Sequence, residues 1–362
     1  MKKVHTERID RFLEAMQERS VEHLWIEPSV GFRYLTGIEA LSFERLAGLL
    51  VSADGELRLL VPLLLREEFD ALADRAEQFV WDDGEGPTAA TIKALTGVDS
   101  IYVQRTLPVW AFEALRSAAG RLDLTIDPGL LSDLREKKDA DELDLLRASS
   151  RVTDEVVEWI GTLDFSGVTE RQLAGRIRAR YLELGYEPAE WALVASGTNA
   201  SMPHYAGGDV SISSSAPLLT DFGGTVGGYW SDITRVHFPR SVDPEITEAY
   251  EVVCSAAAAA FDAATAGTRC MDVDRAARSV IEDAGYGEYF VHRTGHGVGL
   301  EVHESPYITS TNEQVLEPGH VFTIEPGVYL PGKWGLRYEN VVHVGPHGPE
   351  SLNKSPRINY LK

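Results

Sequence analysis

The chain has 362 residues, of which 44% are hydrophobic and 25% are charged. This length exceeds that of most single domains and the composition is ordinary for a soluble globular protein, so we expect two domains. The 34 basic and 56 acidic residues give a net charge of −22, which argues against binding to nucleic acid or to anionic membranes.

The N-terminus begins with Met and two lysines, but no apolar segment follows them, which argues against a signal peptide. The longest apolar runs, such as LRLLVPLLL, are too short to span a bilayer. Cys254 and Cys270 are expected to be buried as small hydrophobic residues rather than paired in a disulfide. We therefore expect a soluble protein of the reducing cytoplasm.

Residues 1–134 are predicted to form an α/β domain. The predicted helices cover 6–19, 65–76 and 109–120. EHLWIE and SIYVQ predict strands, and LAGLLVSADGELRLLVP predicts a hairpin with Asp54 and Gly55 at its turn. This part of the chain shows no cluster of His, Cys and acidic residues at the spacing of a catalytic site. We expect it to shape the molecule or to form oligomer contacts.

A charged run, LREKKDADE, precedes a long amphipathic helix over 140–163 and indicates a domain boundary, so the second domain is predicted to cover 135–362. This domain contains an internal repeat, because 167–199 and 267–299 share the positions of their glycines. Each copy predicts a helix that ends at Gly-Tyr and a strand that follows it, and a second helix precedes each copy. TERQ, which begins at Thr169, is typical of a capping box.

Each half of the repeat continues into a predicted β-hairpin that carries two acids. LLTDFGGTVGGYWSDITR carries Asp221 and Asp232, and VFTIEPGVYLPGKWGLRYEN carries Glu325 and Glu339. Their neighbours are apolar or aromatic, and burial of a carboxylate is costly unless it is paired or bound to a metal. Any single acid would more often point to solvent. Four acids at matching positions favour a metal site instead.

Four carboxylates balance the charge of two divalent cations, which predicts a two-metal centre. An oxygen-rich set suits Mn²⁺ or Co²⁺ and permits Zn²⁺. HRTGHGVGLEVHE (292–304) adds three histidines, but its glycines argue against a helical zinc motif and its histidines against a phosphate loop. We predict a strand, a tight glycine turn and another strand. This arrangement brings His296 to a metal and leaves His292 and His303 for the substrate.

These motifs resemble the pita-bread metallopeptidases, specifically the proline-directed branch of prolidases (Xaa-Pro dipeptidases) and aminopeptidases P. The resemblance rests on DFGG, GYWSDITR, TGHGVGLEVHE, FTIEPGVY and RYEN, and on FRYLTGIE and REKKDADELDLLR nearer the N-terminus. It implies an α+β fold with a creatinase-like α/β domain over 1–134. A pseudo-twofold catalytic domain over 135–362 would follow, with helices outside a curved antiparallel sheet. It also implies a homodimer and a peptide substrate with proline after the scissile bond.

The resemblance also implies a role for each ligand. Asp221 would chelate one metal, His296 and Glu325 would bind the other, and Asp232 and Glu339 would bridge the two.

The same resemblance assigns the chemistry. A metal-bridging hydroxide would attack the scissile carbonyl, Glu325 would hold its proton, and His303 would stabilise the tetrahedral intermediate. His204 would contact the substrate around the scissile bond, and His292 would line the proline side of the pocket.

Arg337 and Thr234 would orient the ligands, and Arg337 is also predicted to contact the substrate. Two positions depart from the family pattern: His320, which we expect at a partly exposed strand edge, and Tyr338, where a small aliphatic residue is commoner. The remaining histidines receive structural interpretations: His5, His23, His237, His343 and His347.

The leading hypothesis is a dinuclear peptidase that cleaves Xaa-Pro bonds, and the compact N-terminal domain favours a dipeptidase over an aminopeptidase P. A dipeptidase needs a cation for the free proline carboxylate, which Arg337, Arg293 or an arginine of a partner subunit could supply. A creatinase-type hydrolase and a non-catalytic binding protein are alternatives. The complete ligand set argues against both.

Overall fold

The computed structural model describes residues 5–120, 122–187 and 189–361. The chain divides into two compact units, Met1–Arg135 and Glu136–Lys362.

The first unit is built on one six-stranded sheet. Its strands are β1 (His23–Ile26), β2 (Gly48–Ser52), β3 (Leu57–Pro62), β4 (Glu77–Trp81), β5 (Ser100–Val103) and β6 (Asp123–Ile126). The spatial order is β4-β3-β2-β1-β5-β6. The pairs β1–β2 and β2–β3 are antiparallel and the other pairs are parallel. The helices are α1 (Thr6–Glu18), α2 (Val30–Thr36), α3 (Thr88–Ala94), α4 (Val109–Ala119) and α5 (Leu130–Glu136).

The sequence predicted most of these elements, with one error of type and several omissions. The hairpin β2–β3 turns at Gly55, whose φ of 95° lies in the left-handed region that glycine adopts without strain. The helix predicted over 65–76 is instead a 3-10 helix over Leu63–Leu72. Its apolar residues Leu65, Phe69 and Leu72 are spaced by three and four, so their pattern fits a tight helix as well as an α-helix.

The α-helices in the described residues of the second unit are α6 (Ala140–Ile160), α7 (Glu170–Glu183), α8 (Pro244–Ala263) and α9 (Cys270–Asp283). The strands of its first half are β7 (Trp191–Ser196), β8 (Leu218–Gly223), β9 (Thr225–Val226), β10 (Tyr229–Trp230) and β11 (Ile233–Phe238). The strands that follow are β12 (Gly295–Gly297), β13 (Glu304–Ile308), β14 (Val321–Ile324), β15 (Gly327–Leu330), β16 (Trp334–Arg337), β17 (Asn340–Gly345), β18 (Gly348–Ser351) and β19 (Asn359–Tyr360).

The internal repeat of the sequence is a repeat of structure. The order β7-β8-β11 in one sheet matches β12-β14-β17 in the other, and a two-stranded hairpin interrupts each copy: β9–β10 in the first and β15–β16 in the second. The helix pair α6–α7 precedes the first copy and α8–α9 the second. The strand pairs are antiparallel except β11–β19, which is parallel.

The two halves of the repeat are joined where β11 and β17 begin. The backbone N–H of Glu339 donates to the carbonyl of Thr234 at 3.3 Å. The guanidinium of Arg235, which is fully buried, donates to the carbonyls of Thr234 and Glu339 at 3.0 and 2.6 Å. A charged donor shared by the two strand ends holds the acid of the second half beside the first half.

The buried apolar residues of the second unit include two clusters, one of which contains residues of both halves. Val156, Ile177 and Phe222 belong to one buried cluster, and Val253, Phe322 and Val342 belong to another that contains both cysteines. Cys254 and Cys270 are buried free thiols, as predicted. In the described part of the chain, no helix has both the length and the hydropathy needed to cross a bilayer.

The expectation for His320 was wrong, because its side chain is 1% exposed. His320 immediately precedes β14, an interior strand of its sheet, and an isolated β-bridge pairs it with Lys137. Its Nδ1 accepts the backbone N–H of Glu317 at 3.2 Å, and burial lowers the pKa of His320 to about 4. The ring is therefore a neutral core residue.

Candidate metal centre

A cavity of about 660 Å³ opens in the second unit, and all nine predicted site residues line it. They are His204, Asp221, Asp232, His292, His296, His303, Glu325, Arg337 and Glu339.

The four acids reach the cavity from equivalent places in the two halves. Asp221 lies within β8, opposite Thr234 of β11, and Asp232 immediately precedes β11. Glu325 immediately follows β14 and Glu339 immediately precedes β17, which pairs with β14. The pseudo-twofold arrangement therefore brings two carboxylates from each half to one place.

His296 is oriented as a metal ligand. Its Nδ1 lies 3.1 Å from the carbonyl oxygen of Gly297, which assigns the ring proton to Nδ1 and leaves Nε2 as an acceptor. Nε2 lies 3.3 Å from Glu325 Oε1 and 3.7 Å from Asp232 Oδ2. Ligand atoms of Asp232, His296 and Glu339 all lie within 4.8 Å of one another. Burial lowers the pKa of His296 to about 3, so the imidazole is neutral.

Three of the four carboxylates are poorly compensated by the protein itself. Burial, and then repulsion by Glu339, Asp221 and Glu325, raises the pKa of Asp232 well above its usual range. Burial likewise raises the pKa of Glu339, and it raises that of Glu325 to about 7. A buried group of acids that resists ionisation is the electrostatic signature of a site completed by cations. The donor set, carboxylate oxygens with one imidazole nitrogen, fits hard or borderline divalent metals.

Arg337 is the cation bonded to this cluster. Its Nη2 donates to Asp221 Oδ2 at 2.5 Å, its Nη1 to the Tyr329 hydroxyl at 2.7 Å, and its Nε to Thr234 Oγ1 at 2.9 Å. Thr234 in turn donates to Glu339 Oε2 at 2.6 Å. One guanidinium therefore orients an acid from each half, directly for Asp221 and through Thr234 for Glu339.

The predicted order of strand, turn and strand is present in this segment, but Gly295 and Gly297 lie in the first strand rather than in the turn. His296 lies in strand β12, and the turn follows it over residues 298–303. A Cβ at Gly295 would overlap the carbonyl oxygen of Thr323, and one at Gly297 would overlap that of Ser305. The glycines are therefore required because the neighbouring strands approach closely, rather than because the backbone turns.

The three other histidines differ in exposure. His204 and His303 are exposed at the cavity, and the ring of His303 lies 4.2 Å from that of His296. His292 is half-buried, with Nδ1 at 2.7 Å from the Arg293 carbonyl and Nε2 at 2.9 Å from the Tyr329 hydroxyl. Since Nδ1 carries the proton, Tyr329 donates to Nε2. Burial lowers the pKa of His292 to about 4.

Two residues of this network were missed from the sequence. Tyr329 links Arg337 to His292, and Trp191 Nε1 donates to Asp221 Oδ1 at 3.3 Å. The aromatic rings of Trp191 and Trp230 lie 5.4 Å apart beside this acid. The sequence offered no spacing signal for either Tyr329 or Trp191, because their partners come from other strands.

Two protein-family models match the chain. Residues 8–137 match the creatinase/prolidase N-terminal domain, and residues 144–346 match metallopeptidase family M24. The chain is 35% identical over 361 residues to a probable dipeptidase PepE of Mycobacterium tuberculosis, covering 98% of this chain and 95% of that protein.

Solved structures of similar proteins cover nearly all of the chain. A dipeptidase from Pyrococcus horikoshii has a TM-score of 0.93 at 36% identity, covering 98% of this chain and all of that one. A prolidase from Thermococcus sibiricus has a TM-score of 0.92 at 32% identity, covering 98% of each chain. The predicted α+β pita-bread fold is thereby confirmed. The chain belongs to metallopeptidase family M24, in its proline-directed branch, and it is a peptidase.

Proposed function

We propose that this chain is a divalent-metal-dependent Xaa-Pro dipeptidase with two metal ions per chain. The observation that carries the proposal is the convergence of four carboxylates and His296 Nε2 on one cavity, where Asp232, Glu325 and Glu339 are poorly compensated. Asp221 would chelate one ion, His296 and Glu325 the other, and Asp232 and Glu339 both. Mn²⁺ is the proposed metal, with Co²⁺ and Zn²⁺ as alternatives.

When bound, the metals would lower the pKa of a water molecule and polarise the scissile carbonyl. Glu325, which lines the cavity, would accept a proton from the attacking water and return it to the leaving nitrogen. His303 would donate a hydrogen bond to the developing oxyanion. His204, on the same cavity, would contact the substrate at the scissile bond, and His292, held by Tyr329, would line the proline side.

Two arginines line the cavity, and their bonding differs. Arg337 uses Nε, Nη1 and Nη2 for bonds within the protein, which supports an orienting role and leaves it little freedom to contact substrate as well. Arg293 stacks over the ring of Tyr307 at 4.8 Å and forms no ion pair with a carboxylate of the described residues. We therefore propose Arg293 as the cation for the free carboxylate of a dipeptide.

The experiment that tests the function compares hydrolysis of Ala-Pro and Ala-Pro-Ala by apoprotein to which Mn²⁺, Co²⁺ or Zn²⁺ is added. We expect Ala-Pro turnover, its loss on chelation, and two equivalents of metal per active chain. Cleavage of Ala-Pro-Ala without Ala-Pro would identify an aminopeptidase P. Full activity without metal would reject the metallopeptidase mechanism and favour a creatinase-type hydrolase.

The role of Arg293 has its own test. Arg293→Met should raise KM for Ala-Pro by about tenfold, because a charge-assisted hydrogen bond to the carboxylate is lost. Ala-prolinamide, which lacks that carboxylate, should be cleaved equally by variant and parent. Arg275→Met, at an exposed position on α9, is the control. An equal change for both substrates would contradict the assignment.

The proposed assembly is a homodimer, which the family resemblance implies. Light scattering on the eluting peak of a size-exclusion column would measure it, and a monomeric mass at working concentration would refute it.

A further inference from the structure

The two exposed histidines of the cavity share a mode of support. In each case the residue that follows the histidine is bonded to a buried charged residue at the start of a helix. Glu304 follows His303 and binds Lys138, two residues before α6, and Tyr205 follows His204 and binds Glu170, the first residue of α7.

The contact between Lys138 and Glu304 is an ion pair removed from solvent. Lys138 Nζ lies 2.6 Å from Glu304 Oε1, and the two side chains are 1% and 7% exposed. The other carboxylate oxygen, Oε2, accepts the backbone N–H of Glu301 at 3.3 Å, inside the turn that carries His303. Lys138 therefore fixes a carboxylate around which this turn is folded.

Trp230 holds the opposite side of the same turn. Its backbone N–H donates to the carbonyl of Gly299 at 2.8 Å, and its indole N–H donates to the carbonyl of Leu300 at 3.2 Å. Residues 299–303 are thus attached on two sides, and the exposed His303 side chain depends on those attachments for its position.

Glu170 holds the segment that carries His204 in a similar way. It is fully buried, and it accepts the backbone N–H of Ser196 at 2.7 Å, the Asn199 amide at 3.0 Å and the Tyr205 hydroxyl at 2.8 Å. Burial and the adjacent Glu170 raise the pKa of Tyr205 to about 12, so this hydroxyl keeps its proton and donates. These three bonds tie both ends of the 196–205 segment to the start of α7.

We propose that Lys138 and Glu170 are positioning residues for catalysis, which act through Glu304 and Tyr205 to place His303 and His204. The inference rests on the proposed function, because that function gives His204 and His303 a role at the substrate. An exposed pair, Lys137 Nζ to Glu317 Oε2 at 2.7 Å, shows that the same segment forms an ion pair at the surface as well. Burying a charge is costly, and a buried ion pair is weak evidence for stability. A positional role therefore accounts for the burial of the Lys138–Glu304 pair.

Double-mutant cycles test the proposal, because residues that act through one another are not additive. Lys138→Met with Glu304→Leu replaces the pair by apolar side chains and avoids an unpaired buried charge. Glu170→Gln keeps an acceptor oxygen. Each change should lower kcat for Ala-Pro by about tenfold with KM little changed, as expected for groups that orient a catalytic side chain.

The crossed combinations are the matched controls. In a His303→Ala background, replacing the Lys138–Glu304 pair should cause no further loss, whereas in a His204→Ala background its full loss should remain. Glu170→Gln should behave in the opposite way, and Lys137→Met should change nothing. Losses that multiply in every background, or an unchanged kcat, would overturn the proposal.

A second measurement does not need activity. In protein with ¹³C-labelled histidine rings, replacing the Lys138–Glu304 pair should shift the ring signals of His303 and leave those of His204, and Glu170→Gln should do the reverse. The alanine variants assign these signals. If the parent failed to cleave Ala-Pro, the proposed function would fail while this result still tested the positioning. Unshifted signals in both variants would reject the positioning itself.

Discussion

Arg337 is the single residue on which the carboxylate geometry depends most directly. Three of its nitrogens bond to Asp221, Tyr329 and Thr234, and Thr234 passes the constraint on to Glu339. Only a planar group with donors on three nitrogens can make these bonds at once, because the lysine ammonium is a point charge on a flexible stem. The site therefore depends on the shape of this cation as well as on its charge.

Arg337→Lys should accordingly keep the charge and lose the geometry. We expect metal affinity to fall by about 10–100-fold, the usual loss when a partner that orients metal ligands is removed. Competition with a fluorescent chelator measures this affinity. Arg357→Lys, in an exposed ion pair with Glu251 at 3.5 Å, is the matched control. Equal metal affinity in the Arg337 variant and the parent would contradict the prediction.

The sequence predicted which residues line the cavity far better than it predicted how they are held. Asp221 and Asp232 could be found because a hairpin brings residues at that spacing to one end of a sheet, and the repeat supplied their counterparts. Tyr329 could not, because its bond to His292 depends on how a separate segment packs against the β15–β16 hairpin. Burial of His320 depends on the segment at Lys137, more than 180 residues earlier in the chain.

Among the elements, the start of α7 is the place where a local sequence signal and the structure agree in detail. Thr169 accepts the backbone N–H of Gln172 at 3.2 Å, and Gln172 accepts that of Thr169 at 3.0 Å, which completes the capping box predicted from TERQ. Helix starts are predictable because they depend on residues three apart.

Thr169→Ala should lower the free energy of unfolding of the second unit by about 1 kcal/mol, the usual cost of losing such a cap. Urea unfolding measures the change. Ser255→Ala, at an exposed position within α8, removes a hydroxyl that bonds only to the preceding turn and should have little effect. Equal stability of the two variants would show that the cap of α7 contributes nothing measurable.

In strand β12, by contrast, the sequence did not predict the role of the glycines. They were expected to form a turn, whereas the neighbouring strands approach too closely for a side chain. Gly297→Ala should destabilise the protein by about 1–3 kcal/mol, because the added methyl group would overlap the carbonyl oxygen of Ser305. Gly175→Ala, in α7 with open space at the Cβ position, should stabilise it by about 0.5–1 kcal/mol. The two changes add the same atoms, so thermal unfolding that shifted both variants in one direction would refute the argument.

At the scale of the whole molecule, the repeat places four acids in one buried site of a chain that already carries a net charge of −22. The pKa values of Asp232, Glu325 and Glu339 are all raised in the metal-free fold, that of Glu325 to about 7. In the unfolded chain these groups ionise near pH 4. Between about pH 4 and 7 the native state therefore binds more protons than the unfolded state.

The extra protons bound by the native state determine how stability changes with pH. Since stability falls with rising pH wherever the native state holds the extra protons, the metal-free protein should lose stability as the pH rises from about 4 to 7. Bound divalent cations would compensate the ionised carboxylates, so the holoprotein should not show this loss and should be the more stable form at neutral pH. Urea unfolding of both forms across this range measures the effect. A metal-free protein that gained stability from pH 4 to 7 would contradict it.

Replacing one acid separates the electrostatic cost of burying the carboxylates from the stabilisation that bound metal provides. Asp232→Asn removes a buried charge, so at pH 8 the metal-free variant should unfold at higher urea concentration than the metal-free parent. The same variant lacks a ligand proposed to bridge both ions, so added Mn²⁺ should stabilise it less than it stabilises the parent. Asp262→Asn, at an exposed position on α8, should change neither value. If Asp232→Asn destabilised the metal-free protein, the carboxylate would be held by the fold itself rather than kept for a cation.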